Sequence, residues 1–95
     1  MSAFRHIVLF RIHDEVSDQR VTEAIDALRS LAVLPGIESW TVELSLDQRK
    51  GRVIVEDGVF GDQAAFEAFH ADPQHRSTAE VMAEISDWWV GDYQA

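Results

Sequence analysis

Apolar positions along the chain follow two periods, and the switches between them mark out strands and helices. Residues 4–12, FRHIVLFRI, are rich in β-branched and aromatic side chains and read as a strand. Phe4, Val8, Phe10 and Ile12 share one parity, while Ile7 and Leu9 lie on the other. A strand apolar on both sides is expected to be central in its sheet and covered on both faces. Ser17 is a helix cap, and Val21, Ile25, Leu28 and Leu31 recur at helical spacing, predicting a helix from about Asp18 to Leu31. The Leu34-Pro35-Gly36 step ends it. SWTVELSL, residues 39–46, alternates cleanly, with Trp40, Val42, Leu44 and Leu46 on one side. That pattern predicts a half-covered strand at a sheet edge.

DQRKG reads as a hairpin loop and RVIVEDGVF, residues 52–60, as the returning strand. Asp57-Gly58 is also a hairpin signal, but too little chain follows for a partner strand, so an irregular or bulged strand end is expected. Asp62 caps a short helix carrying Ala65, Phe66 and Phe69. Asp72 and Pro73 start another, with Asp72 as cap and Pro73 at its first position. This second helix carries Val81, Met82 and Ile85, and WWVGDY closes the chain as a strand. The order β-α-β-β-α-β, with the second helical segment broken in two, predicts an α+β, ferredoxin-like subunit forming a single domain over residues 1–95. Such a sheet carries helices on one face only. Ile7, Leu9, Val53 and Val55 then form an apolar patch on the other face, and a second copy packed sheet to sheet covers it. A homodimer is expected.

Composition narrows the function classes. The 95 residues suit one small domain, and no apolar run approaches the ~20 residues of a membrane-spanning helix. Eight Lys and Arg against 17 Asp and Glu leave a net charge of −9, which repels nucleic acid and anionic membranes. Cysteine is absent, which rules out disulfides and thiolate metal sites and fits a cytoplasmic location. The N-terminal residues lack the zones of a signal peptide.

Two of the four histidines flank an Asp-Pro step in HADPQHRS, residues 70–77. Glu67 and His70 form one Glu-x-x-His pair, but no second pair matches it, and His70 and His75 have no zinc-ligand spacing, so no metal is expected. His70 ends one helix, where the dipole favours imidazolium, and reads as a surface residue. His75 lies in the first turn of the next, where the dipole favours the neutral ring. His75 is therefore the candidate general base, against the plainer reading of a surface hydrogen bond at a helix start. His6 is the one polar side chain on the helix-facing side of the first strand, and Asp92 shares a parity with Trp88 and Val90 on the last. Side-by-side first and last strands bring His6 and Asp92 to one face, as a self-satisfying pair or as part of a base-and-orienter arrangement. Glu56 is a further candidate on that face, and His13 reads as a solvated turn residue. No nucleophile elbow or phosphate-binding glycine loop occurs. Trp40 and Trp88 read as core more readily than as a cofactor pocket.

RHIVLFRI, LPGIESW, HADPQH and DWWVGDY, in this order over nearly the whole chain, resemble the stress-responsive dimeric α/β-barrel (Dabb) family. The resemblance implies a ferredoxin-like subunit whose homodimer closes two sheets into a barrel. It extends distantly to a plant polyketide cyclase of the family, which runs an aldol condensation without cofactor in a pocket between sheet and helices. That resemblance implies His75 as the catalytic histidine, Asp92 as the aspartate supporting it and His6 as a pocket histidine. The cyclase's catalytic tyrosine falls on Phe69 and a helix-one tyrosine on Leu28, which removes an acid and makes this pocket more apolar. The expected site is then His75 and Asp92 for catalysis, with His6, Val8, Phe10, Trp40, Glu56, Phe69 and Trp88 around a small apolar or aromatic ligand. His6 is expected to bind a ligand oxygen, and no cofactor is expected. Three functions remain: a cofactor-free cyclase- or lyase-type enzyme on a polyketide-like or aromatic substrate, a non-catalytic stress-responsive binding dimer, and a cofactor-independent quinol-type monooxygenase.

Overall fold

The computed structural model describes residues 2–95. Its elements are β1 (Phe4–Ile12), α1 (Asp18–Ser30), a 3-10 turn at Leu31–Val33, β2 (Ile37–Leu44), β3 (Val53–Phe60), α2 (Gln63–Ala71), α3 (Pro73–Ile85) and β4 (Ser86–Gln94). The strands form one antiparallel sheet in the order β2-β3-β1-β4. This is the ferredoxin-like α+β arrangement expected from the pattern, with β1 central, β2 at an edge and the second helical segment split at Asp72-Pro73.

The helices start where their caps place them. Ser17 Oγ accepts from Arg20 N at 3.1 Å, Asp62 Oδ1 from Ala65 N at 2.8 Å and Asp72 Oδ1 from Gln74 N at 2.8 Å. Each cap satisfies an orphan donor of the first turn and contributes about 0.5–2 kcal/mol. The inward parity of β1, with Ile54, Phe60 and Val42, meets Val21, Ala24 and Leu28 of α1, Phe69 of α2, and Met82 and Ile85 of α3 in one buried core. The opposite face carries no helix. There Leu9 is 41% and Trp89 62% exposed, beside Ile7, Val53 and Val55 and the Arg5–Asp57 ion pair at 2.7 Å.

Three expectations change. Strand β2 runs over 37–44 rather than 39–46, and Leu46 is fully exposed (102%). The chain leaves the sheet at Ser45, whose hydroxyl accepts from Asp47 N at 3.2 Å, a local bond that competes with the ladder. Asp57-Gly58 is neither a turn nor a bulge; β3 passes straight through it, and the irregularity lies across the ladder in β2, between Ile37 and Ser39. Gly58 is needed for close approach, because a Cβ there would stand 2.8 Å from the Trp40 ring. Finally, β4 begins at Ser86, directly after α3, where Ser86 Oγ donates to Met82 O at 2.6 Å.

Candidate functional site

A cavity of about 240 Å³ lies between the inner sheet face and the helices. Val8 and Phe10 of β1 and Trp88 and Val90 of β4 form its floor, and Leu28 and Leu31 close one end. Its roof is the α3 stripe His75, Thr78, Ala79, Met82 and Ala83, which repeats at i, i+3, i+4, i+7 and i+8 as one helix face must. Ala79 and Ala83 carry only methyl groups, which leaves space beneath that face.

The polar groups gather at one end. His6 and Asp92 are directly paired across β1 and β4, and His6 Nδ1 lies 2.6 Å from Asp92 Oδ1. On the other side of the ring, Nε2 lies 3.2 Å from Glu56 Oε2, two registers along the β1–β3 ladder. Burial opposes a charge on His6, but the bonds and charges of Glu56 and Asp92 outweigh it and hold its pKa above the ordinary value. The ring is thus held between two carboxylates, an arrangement that favours its imidazolium form. Glu56 is only 2% exposed and lines the cavity. Its second oxygen has no hydrogen-bond donor among the described residues, and no buried polar side-chain atom there is left without a partner, so that oxygen opens onto the cavity.

His75, at the third position of α3, directs Nδ1 at the carbonyl oxygen of His70, 3.1 Å away. Donation there fixes the tautomer and leaves the Nε2 lone pair unpartnered among the described residues. Burial pushes the His75 pKa down, the nearby His70 charge adds to this, and Glu56 opposes it. The neutral ring inferred from the helix dipole agrees in direction, but burial and His70 are the main causes.

Of the residues expected from the sequence, His6, Val8, Phe10, Glu56, His75 and Trp88 line this cavity together. Asp92 lies in an adjoining cleft with His6, Phe66, Glu67, His70 and Val90. It bonds His6 and not His75: the strand register sets residues 6 and 92 opposite each other, and His75 takes its hydrogen bond from the backbone. His6 correspondingly has both nitrogens directed at carboxylates, so the expected bond from His6 to a ligand oxygen is not the geometry found. Trp40 and Phe69 do not line the cavity. Trp40 Nε1 donates to Leu28 O at 3.0 Å, and its ring packs 5.3 Å from Phe69. Phe69 is buried behind His75, with ring centres 4.6 Å apart, and holds the imidazole from the rear.

The sequence reading missed Thr78, Ala79, Met82 and Ala83 as lining, although their spacing from His75 carries the signal. It also placed His70 on the surface; the ring is exposed, yet it borders the cavity 5.1 Å from His75 and its carbonyl fixes the His75 tautomer. Among the described residues, no group of three or more His, Asp and Glu is arranged to hold a metal ion. No helix there is long and apolar enough to cross a membrane.

Comparison with known structures gives the same subunit fold in several settings. A protein from Thermobifida fusca, described as dimeric, ferredoxin-like and of unknown function, superposes with a TM-score of 0.88 at 24% identity, covering 99% of this chain and 92% of that one. The hydroxynitrile lyase of Passiflora edulis gives 0.85 at 21% identity, covering 98% and 93%. SnoaB of Streptomyces nogalater, a cofactor-independent oxygenase, gives 0.81 at 20% identity, covering 100% and 94%. A search of curated proteins gives no match. The family model for the stress-responsive A/B barrel domain matches residues 4–95. Almost the entire chain is accounted for by that match, and the protein belongs to the Dabb family.

Proposed function

We propose that the protein is a homodimeric, cofactor-free enzyme of cyclase or lyase type, acting on a small polyketide-like or aromatic carbonyl compound with His75 as general base. The observation that carries this reading is the His75 ring itself: burial biases it towards the neutral form, the His70 carbonyl fixes its tautomer, and its Nε2 is left unpartnered among the described residues at the polar end of a largely apolar cavity. Such a base removes a proton from carbon next to a carbonyl, and the imidazolium it becomes is stabilised by the charge of Glu56. Asp92 acts through His6, holding it as a fixed cation that compensates Glu56. The dimer is supported by the apolar outer face and by the dimeric description of the Thermobifida protein.

One observation favours a second reading, a non-catalytic binding dimer. Phe69 stands where the cyclase-like resemblance puts an acid, and a buried phenyl ring donates no proton. Exchange of the α-protons of an aryl methyl ketone in D2O separates the two. A base enzyme accelerates deuteration, and His75→Ala lowers that rate by about 10²–10⁴-fold while the protein stays folded. Wild type without acceleration, but with His75 and His6 ring signals shifting as phenols or β-diketones bind, leaves the binding protein. Dioxygen uptake with a quinol substrate would instead turn the reading to the oxygenase class.

A further inference from the structure

The polar end of the cavity is rich in hydrogen-bond acceptors. The ring nitrogens of His6 are both directed at carboxylates, and His75 spends its N–H on the His70 carbonyl. Lining that end are Glu56, whose second oxygen has no donor among the described residues, His75, whose Nε2 is unpartnered there, Thr78, and the exposed ring of His70. The remaining walls are aliphatic or aromatic. A ligand seated here must therefore supply donors. A ligand carboxylate set between Glu56 and His75 Nε2 would meet two acceptors out of water, and the His70 ring that borders them is exposed to solvent.

From this we infer that Glu56 is the specificity-determining residue of the cavity, and that it selects neutral dihydroxyaromatic compounds over their carboxylate counterparts by accepting a hydrogen bond from one hydroxyl while His75 Nε2 accepts from the other. The inference deepens the proposed function and rests on its placing of a small aromatic ligand in this cavity. It does not require His75 to turn that ligand over. Glu56 suits the task because it is 2% exposed and anchored through one oxygen by His6, so its other oxygen is held in place before any ligand arrives. Discrimination by a buried acceptor is steep, since a ligand lacking the donor leaves that acceptor desolvated and unpaired.

The test is a binding series by calorimetry or histidine NMR with resorcinol, 3-methoxyphenol, 1,3-dimethoxybenzene and 3-hydroxybenzoate. Wild type should bind resorcinol at least about tenfold tighter than the dimethyl ether and than 3-hydroxybenzoate, about 1.4 kcal/mol for each tenfold. Glu56→Gln, which keeps the shape and removes the charge, should lose most of the preference against 3-hydroxybenzoate. Equal or tighter binding of 3-hydroxybenzoate to wild type overturns the inference, as does a Glu56→Gln variant with undiminished selectivity. Should that variant fail to fold, the wild-type series alone still decides, because the ethers remove the donors from the ligand instead. Failure of this series while a β-diketone still shifts His75 sinks the Glu56 assignment alone. Silence toward every compound removes the ligand-binding cavity and the proposed function with it.

Discussion

Gly58→Ala is a sharp test of how the site is supported. A methyl group at residue 58 would stand 2.8 Å from Trp40 Cε3 and Cζ3 and 3.3 Å from Phe60 Cε1. Trp40 has little room to retreat, since its Nε1 donates to Leu28 O at 3.0 Å and its ring packs on Phe69. Overpacking of this kind costs about 1–3 kcal/mol, and loss of the indole hydrogen bond adds about 1 kcal/mol. Reduced chain entropy in the unfolded state returns about 0.4–1 kcal/mol. The net expectation is a loss of about 2 kcal/mol, or a Tm lower by about 8–16 °C for a domain of this size. Gly61→Ala is the control, because its added Cβ meets only the carboxylate tip of Glu38 at 3.1 Å, the far end of an exposed side chain. Both variants and wild type are melted at one protein concentration, since association couples to stability. A Gly58→Ala protein within about 0.5 kcal/mol of wild type, or no worse than Gly61→Ala, refutes the packing argument. The consequence extends to function: displacement of Trp40 pushes on Phe69, which backs His75, so ligand-induced shifts of the His75 ring should weaken in parallel.

Activity that depends on neutral His75 should fall on acidification through a pKa below the ordinary 6.5, and an acid limb above pH 7 in the rate profile contradicts the assignment. The same shift makes the unfolded chain bind more protons at His75 than the folded one, so this residue's contribution to stability is lost as pH falls from about 6.5 through the folded pKa. His6 has the opposite sign, with a raised folded pKa, so its stabilisation is complete below about pH 6.5 and lost as pH rises through the folded value. Asp92→Asn should therefore lower the His6 pKa by NMR, with a stability deficit largest below pH 6.5 that narrows as pH rises; a deficit that grows with pH contradicts the ion pair. Leu9→Asp places a charge on the bare sheet face and should convert the proposed dimer to monomer in sedimentation, whereas an unchanged assembly would show that another surface holds the copies together.

The electrostatics of the site follow from strand pairing. Two carboxylates flank the His6 imidazole, but only Glu56 lines the apolar cavity, where its charge favours proton uptake by His75 against burial, His70 and His6.

Element types, caps and the inward parity of the strands were legible in the sequence because they depend on interactions over a few residues. Ser17, Asp62 and Asp72 announced their helices, and the alternation of Trp40, Val42 and Leu44 announced an edge strand. The same parity argument put His6, Glu56 and Asp92 on one face. What each of them bonds was decided only by the tertiary structure, because register joins residues 86 apart in the chain and a slip of one residue would turn Asp92 to the opposite face. The break at Asp72-Pro73 likewise predicted a neutral His75, but its hydrogen bond to the His70 carbonyl depends on how α2 meets α3. Whether the space under α3 is filled or open is a property of packing: Ala79 and Ala83 supply little volume, while Trp40 and Phe69, counted as pocket residues from the sequence, pack against each other outside the cavity.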